Sequence, residues 1–181
     1  MYFKEWLITE ETHKFSSTQI NLPPSIIKQI KKWSKTHIAN KNIFEEENTN
    51  EICNHVTVLY GFHTDNPKDI RKIISNFPKF KIKLGKVSKF QLDTHDVIKI
   101  EIHGKKLFEL NKELSKLEHT NKFDFNPHCT IAYVKKDSCN NLINNTDFEN
   151  IEIDVDNIVF SSKERVKTKI YLCGSNMAPA P

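Results

Sequence analysis

Apolar residues along this chain recur with two different periods, and the switching between them lays out an order of elements. The stretches FSSTQINL at 15–22 and HVTVLYGF at 55–62 are short and rich in β-branched or aromatic residues, as strands are. Segments 80–92, 97–103 and 128–134 read the same way, and three further strand candidates lie near 151–155, 158–161 and 166–173. Gly85 marks a bulge in the long strand, and 93–96 forms the turn that follows it. Helical spacing fills the gaps. Ile26, Ile27, Ile30 and Trp33 follow Pro23-Pro24, a pair that ends a strand and suits a first helical turn. Ile70, Ile73, Ile74 and Phe77 follow the turn and cap residues Thr64-Asp65-Asn66-Pro67, and Leu107, Leu110, Leu114 and Leu117 mark a third helix. The order strand, helix, strand, helix, two strands, helix, strand, then more strands predicts an α+β fold with helices packed on sheets.

One pattern occurs twice. His55-Val56-Thr57-Val58-Leu59-Tyr60 and His128-Cys129-Thr130-Ile131-Ala132-Tyr133 share His-x-Thr-aliphatic-x-Tyr, each at the start of a strand after a loop. The copies predict two pseudo-equivalent halves that set the motifs side by side. Residues i and i+2 of a strand share a face, so His55 projects with Thr57, and His128 with Thr130. Val56, Val58, Cys129 and Ile131 then turn inward. By the same alternation Tyr60 and Tyr133 leave the histidine face and join the core or rim.

Two imidazoles and two hydroxyls on one surface suit phosphodiester chemistry without a metal. Because histidine titrates near pH ~6.5, one ring can be neutral and the other protonated at one pH. The neutral ring serves as general base and the protonated one as general acid, each worth ~10² to 10⁴ in rate. The threonine hydroxyls would donate to non-bridging phosphate oxygens, where charge develops.

Composition narrows the setting. A chain of 181 residues with 38% apolar content has room for one core, expected over 15–173, between an N-terminal segment 1–14 and a flexible tail 174–181. The 27 basic residues include only two arginines, Arg71 and Arg165, and net charge is +4. Bidentate phosphate clamps are therefore scarce, and the charge is too mild to demand a long nucleic acid. No apolar run approaches the ~18 residues of a membrane span. The start of the chain carries Glu5, Glu10 and Glu11 in place of a signal peptide's basic and apolar regions, so a cytoplasmic location is expected. Cys53, Cys129, Cys139 and Cys173 are scattered and read as reduced thiols.

With its two His-x-Thr motifs the sequence resembles the 2H phosphoesterase superfamily, which includes the bacterial RNA 2',3'-cyclic phosphodiesterases once called 2'-5' RNA ligases. The resemblance runs over about 15–173. It implies a bilobal fold of two pseudo-symmetric lobes, each an antiparallel sheet with outer helices, around a central groove. It also implies that His55, Thr57, His128 and Thr130 are catalytic. Many RNA-end enzymes of the family carry an arginine just after the second motif, where this chain has Tyr133. The strand at 15–22 with its Pro23, together with HVTVLYG and HCTIAYV, looks more like the phage branch. That branch includes the anti-CBASS nucleases, which cut the 3'-5' linkages of cyclic di- and trinucleotide immune signals in the host cytoplasm. The alternatives are a 2',3'-cyclic phosphodiesterase acting on RNA ends or small nucleotides, and an inactive domain that binds nucleotide or RNA.

Other candidates are weaker. Ser17 and Gln19, on the first strand, and Glu164 and Lys167, at a polar hairpin tip, are expected to line the groove as substrate-binding residues. Trp33 belongs on a buried helical stripe, whereas Trp6 and Phe90 could stack a base. His13, His37, His63, His95, His103 and His119 lack partners at a telling spacing and read as surface or loop residues. The run Glu45-Glu46-Glu47 reads as a solvated loop. Cys53-Asn54-His55 and His128-Cys129 suggest zinc only weakly, because neighbouring strand residues alternate faces and the side chains of each group cannot all reach one tetrahedral ion. No metal, cofactor, membrane or obligate protein partner is expected.

Overall fold

Each strand and helix expected from the periodicities forms, with ends displaced by a few residues at most. In the computed structural model, which describes residues 14–44 and 54–174, the chain begins with β1 (Ser16–Asn21), α1 (Pro24–His37) and β2 (His55–Phe62). It continues through α2 (Lys68–Ser75), β3 (Phe80–Gln91), β4 (His95–His103), α3 (Lys105–Leu114) and β5 (His128–Lys135). Three strands close it: β6 (Glu152–Val155), β7 (Asn157–Ser161) and β8 (Lys167–Tyr171). The segment 1–13, the acidic loop and Cys53 within 45–53, and the tail beyond 174 lie outside the described residues.

The strands form two four-stranded sheets, in the orders β2-β1-β7-β8 and β5-β4-β3-β6, with every adjacent pair antiparallel. Corresponding positions are plain: β2 matches β5 as an edge strand, and β1 matches β4 beside it. The two edge strands lie against one another where the sheets meet. This is the bilobal arrangement that the repeated motif anticipated.

Helices α1 and α3 pack crosswise, while α2 stays on β8 of the first sheet. Helix α1 leaves the first sheet and packs against β5 of the second, where Trp33 donates its indole N–H to Asp147 at 2.7 Å and meets Phe148 edge-on. Helix α3 leaves the second sheet and reaches β2 of the first, its Asn111 amide donating to the Val58 carbonyl at 2.8 Å. Between helices and sheets lie Val56, Val58, Ile100, Cys129, Leu107 and Leu110, all fully buried. Burial of each such aliphatic side chain contributes about 1.5–3 kcal/mol.

The edge strands β5 and β2 are also strapped. The backbone N–H of Phe44 donates to the Tyr133 carbonyl of β5 at 3.1 Å, and that of Thr120 donates to the Gly61 carbonyl of β2 at 2.9 Å. Such covers keep an unpaired edge from recruiting another chain. Gly61 is needed at its strap: its φ is 102°, and a Cβ there would stand 2.8 Å from Thr120 Oγ1. The bulge expected at Gly85 is present, since the register passes from Leu84 opposite Ile102 to Val87 opposite Ile100. His95 differs from expectation. It is 2% exposed, stacked on Phe44 and edge-on to Tyr133, because the loop before the acidic run folds back over the end of β4.

Candidate active site

The two His-x-Thr strands repeat each other in pairing as well as in sequence. His55 lies opposite Asn21 and Thr57 opposite Gln19, and in the other lobe His128 lies opposite Glu101 and Thr130 opposite Lys99. One residue later both ladders slip. The first passes from Gln19–Thr57 to Thr18–Leu59, skipping Val58, and the second from Lys99–Thr130 to Ile98–Ala132, skipping Ile131. Each slip is a bulge that adds one residue to the edge strand and reverses its alternation from there on.

The bulges correct the reading of the tyrosines. Along both strands the half-buried positions are the His, the Thr and the Tyr, with buried residues between them. Tyr60 and Tyr133 therefore return to the face of the histidines, where strict alternation had sent them away. Tyr60 stands edge-on to Phe15, and burial pushes its phenol above the usual tyrosine range.

Residues from both lobes meet in one recess. Thr57 and Tyr60 of β2 line it together with Phe90 of β3, His128 of β5 and the loop 121–126 that leads into β5. About 480 Å³ of empty space lies within it, part of that open to solvent. The loop contributes Asn121, Phe123, Asp124, Phe125 and Asn126, and it is shaped partly by the Asn121 side-chain oxygen, which accepts the Phe123 N–H at 3.0 Å. Phe123 remains 39% exposed, a large apolar ring left at the mouth of the recess.

His128 is held in a defined state. Its Nδ1 lies 2.7 Å from the Asn126 carbonyl oxygen, which can only accept, so Nδ1 carries the proton. Nε2 is then the lone-pair nitrogen of the neutral ring. Phe90 packs edge-on against the imidazole with centroids 4.9 Å apart. Burial depresses the His128 pKa below the ordinary histidine value, the Asn126 contact partly offsets this, and the Lys99 charge pushes in the same direction as burial.

Lys99 was not singled out by its sequence. Its side chain shares the groove face with Thr130, directly across the ladder, and donates to Ser88 Oγ at 2.9 Å. Burial lowers its pKa, and Glu101 opposes the shift. The one signal available was a lysine set between Ile98 and Ile100 in an otherwise apolar strand.

Of the four expected binding residues, two lie beside the motif. Gln19 is 7% exposed, faces Thr57 across the ladder and donates its amide to Asn21 at 2.7 Å. Ser17 pairs with Tyr60, and the row continues through Ser161 to Lys167. Lys167 is thus on the same face but three strands away, roughly 14 Å at the usual strand spacing. Glu164 lies exposed in the turn between β7 and β8. The other histidines make local contacts: His37 with the Trp33 carbonyl, His63 with Glu118 and His119 with the Leu117 carbonyl. Among the described residues, no three of His, Cys, Asp and Glu gather as metal ligands, and no helix is long and apolar enough to cross a membrane.

Known proteins share this architecture. Over 90% of the chain and 99% of its counterpart, the apo form of E. coli LigT superposes with a TM-score of 0.63 at 14% identity. The same enzyme crystallised with 3'-AMP gives 0.63 at 15% identity, over 88% and 95% of the two chains. Kluyveromyces marxianus Usb1 with uridine monophosphate gives 0.54 at 10% identity, over 88% and 98%. Among curated protein sequences none matches significantly. The family model of the 2'-5' RNA ligase superfamily matches residues 22–167. With most of its length matched and both His-x-Thr strands set in the bilobal fold, the chain belongs to the 2'-5' RNA ligase superfamily of 2H phosphoesterases.

Proposed function

We propose that the protein cleaves 3'-5' phosphodiester bonds in a small cyclic di- or trinucleotide, as a phage counter-defence enzyme of the anti-CBASS type, by acid–base catalysis without a metal. The observation that supports the catalytic part is the matched pair of bulged strands, each of which keeps its His, Thr and Tyr on one face of its own strand, with Thr57, Tyr60 and His128 lining one recess. His128 is suited to act as base. Its proton sits on Nδ1 toward Asn126, so Nε2 can take the proton of the attacking ribose 2'-hydroxyl. That oxygen bonds to phosphorus as the 5'-oxygen leaves, and His55 gives the leaving oxygen its proton. The Thr57 and Thr130 hydroxyls donate to the non-bridging oxygens. The products are a 2',3'-cyclic phosphate and a free 5'-hydroxyl, so atoms and protons balance.

The recess favours a small substrate. Phe90, Phe123 and Phe125 offer faces for bases, while neither arginine lies on β2 or β5 to grip an extended backbone. A second reading is hydrolysis of a 2',3'-cyclic phosphate at an RNA end or in a small nucleotide, with water in place of the ribose hydroxyl. The solved complex of LigT with 3'-AMP supports it.

A panel of cyclic dinucleotides, cyclic trinucleotides, linear RNA and 2',3'-cyclic AMP, incubated in EDTA and resolved by mass, decides between them. Ring opening of a cyclic oligonucleotide that spares its 2'-deoxy analogue is the expected result. Turnover confined to 2',3'-cyclic AMP establishes the second reading, and a requirement for divalent metal overturns the mechanism.

A further inference from the structure

The second lobe holds Lys89 half-buried and Lys99 buried, and it treats the two differently. Lys89 meets Asp96 at 2.9 Å, Asp137 at 3.0 Å and Asn140 at 2.6 Å, so its charge is neutralised in place. Lys99 is 3% exposed, and its close partners among the described residues are neutral: Ser88 Oγ at 2.9 Å and the Phe90 ring, whose centroid lies 4.4 Å from Nζ. Glu101 attracts it only from farther away. A buried ammonium that lacks a contacting carboxylate is costly to keep, and a hydrophobic residue of the same length would serve the core better.

The pseudo-symmetry shows that the fold itself does not require this cation. Gln19 occupies the equivalent place in the first lobe, opposite Thr57 as Lys99 is opposite Thr130. There a neutral amide fills the position and closes onto Asn21. The cation is therefore an addition to one lobe only, on the groove face, next to Thr130 and against the ring that packs on His128.

We propose that Lys99 is the anion-binding residue of this groove, its ammonium leaving the face of Phe90 to donate to a non-bridging phosphate oxygen of the substrate. Only one of the three ammonium N–H groups is taken by Ser88, so donors remain for the phosphate. A phosphate would supply the counter-charge that neither Ser88 nor Phe90 provides. This assignment rests on the phosphodiesterase reading for its substrate, but the anion site itself can be tested with inorganic phosphate.

The experiment titrates inorganic phosphate into the full chain while the ring signals of His128 are followed by NMR, for the wild type, K99M and K99Q. Phosphate is expected to bind the wild type, and K99M and K99Q at least about tenfold more weakly, the usual worth of a charge-assisted hydrogen bond. K99M is also expected to melt no lower than wild type, since it removes a buried charge and keeps the stem. Undiminished phosphate binding by K99M or K99Q overturns the proposal. So does a marked fall in melting temperature for both variants, which would make Lys99 a structural residue. Phosphate binding that depends on Lys99 in a protein that cleaves no nucleotide leaves this site standing and removes the catalytic reading instead.

Discussion

The Nδ1 of His128 and the carbonyl oxygen of Asn126 stand 2.7 Å apart, and this contact decides which nitrogen of the ring is left to work. Asn126 sits two residues upstream, at the end of the loop that also walls the recess. Tautomer and substrate pocket are therefore set by one segment of chain.

A depressed His128 pKa has a sign that can be measured. As base, the ring is active when neutral, so the acidic limb of kcat/KM is expected below the ordinary histidine value of ~6.5. Stability follows the same group. At higher pH the ring is neutral in folded and unfolded chains alike. As pH falls through ~6.5 the unfolded chain takes up the proton first, so stability is lost until the folded ring also titrates. An NMR titration of the ring reads the value directly, and a midpoint above ~6.5 would refute the sign.

Each histidine should be indispensable to turnover and dispensable to folding. His55→Ala and His128→Ala are expected to lower kcat by ~10² to 10⁴, with unchanged circular dichroism. Thr57→Val and Thr130→Val, which keep shape and lose the donor, are expected to cost ~10² to 10³ in kcat. A valine variant with full kcat would remove that hydroxyl from the mechanism.

The strands, the three helices and both His-x-Thr pairs were legible in the sequence, because each depends on local periodicity and composition. What escaped it depends on pairing between strands. The bulges at Val58 and Ile131 show along their own strands only as the apolar doublets Val58-Leu59 and Ile131-Ala132, yet they decide where Tyr60 and Tyr133 project. Lys99 was hidden for a related reason: a lysine on a strand reads as a solvent-facing residue, and only the curl of the sheet makes that face the floor of a groove. His95 looked like a loop residue until the distant Phe44 covered it.

Phe123 offers a test of base recognition. An aromatic platform is worth about 1–3 kcal/mol per stacked base. Phe123→Ala is therefore expected to raise KM for a nucleotide substrate by roughly five- to 150-fold, with kcat largely retained. An unchanged KM would place the base elsewhere.

The strap on β2 can be broken with one methyl group. At Gly61 a side chain meets both a left-handed backbone and the Thr120 hydroxyl, so Gly61→Ala is expected to destabilise the fold by about 1–3 kcal/mol. Chemical denaturation would show it as a lower midpoint at unchanged slope, and an unaltered midpoint would mean that the strap yields freely.

The crosswise packing of α1 and α3 has a consequence for how the groove can open. Because α1 is anchored through Trp33 to the far lobe, and α3 through Asn111 to the near one, a wide swing of one lobe away from the other would tear helices from both. The lobes are laced together like the two sides of a boot, which disfavours opening the groove by a hinge between halves.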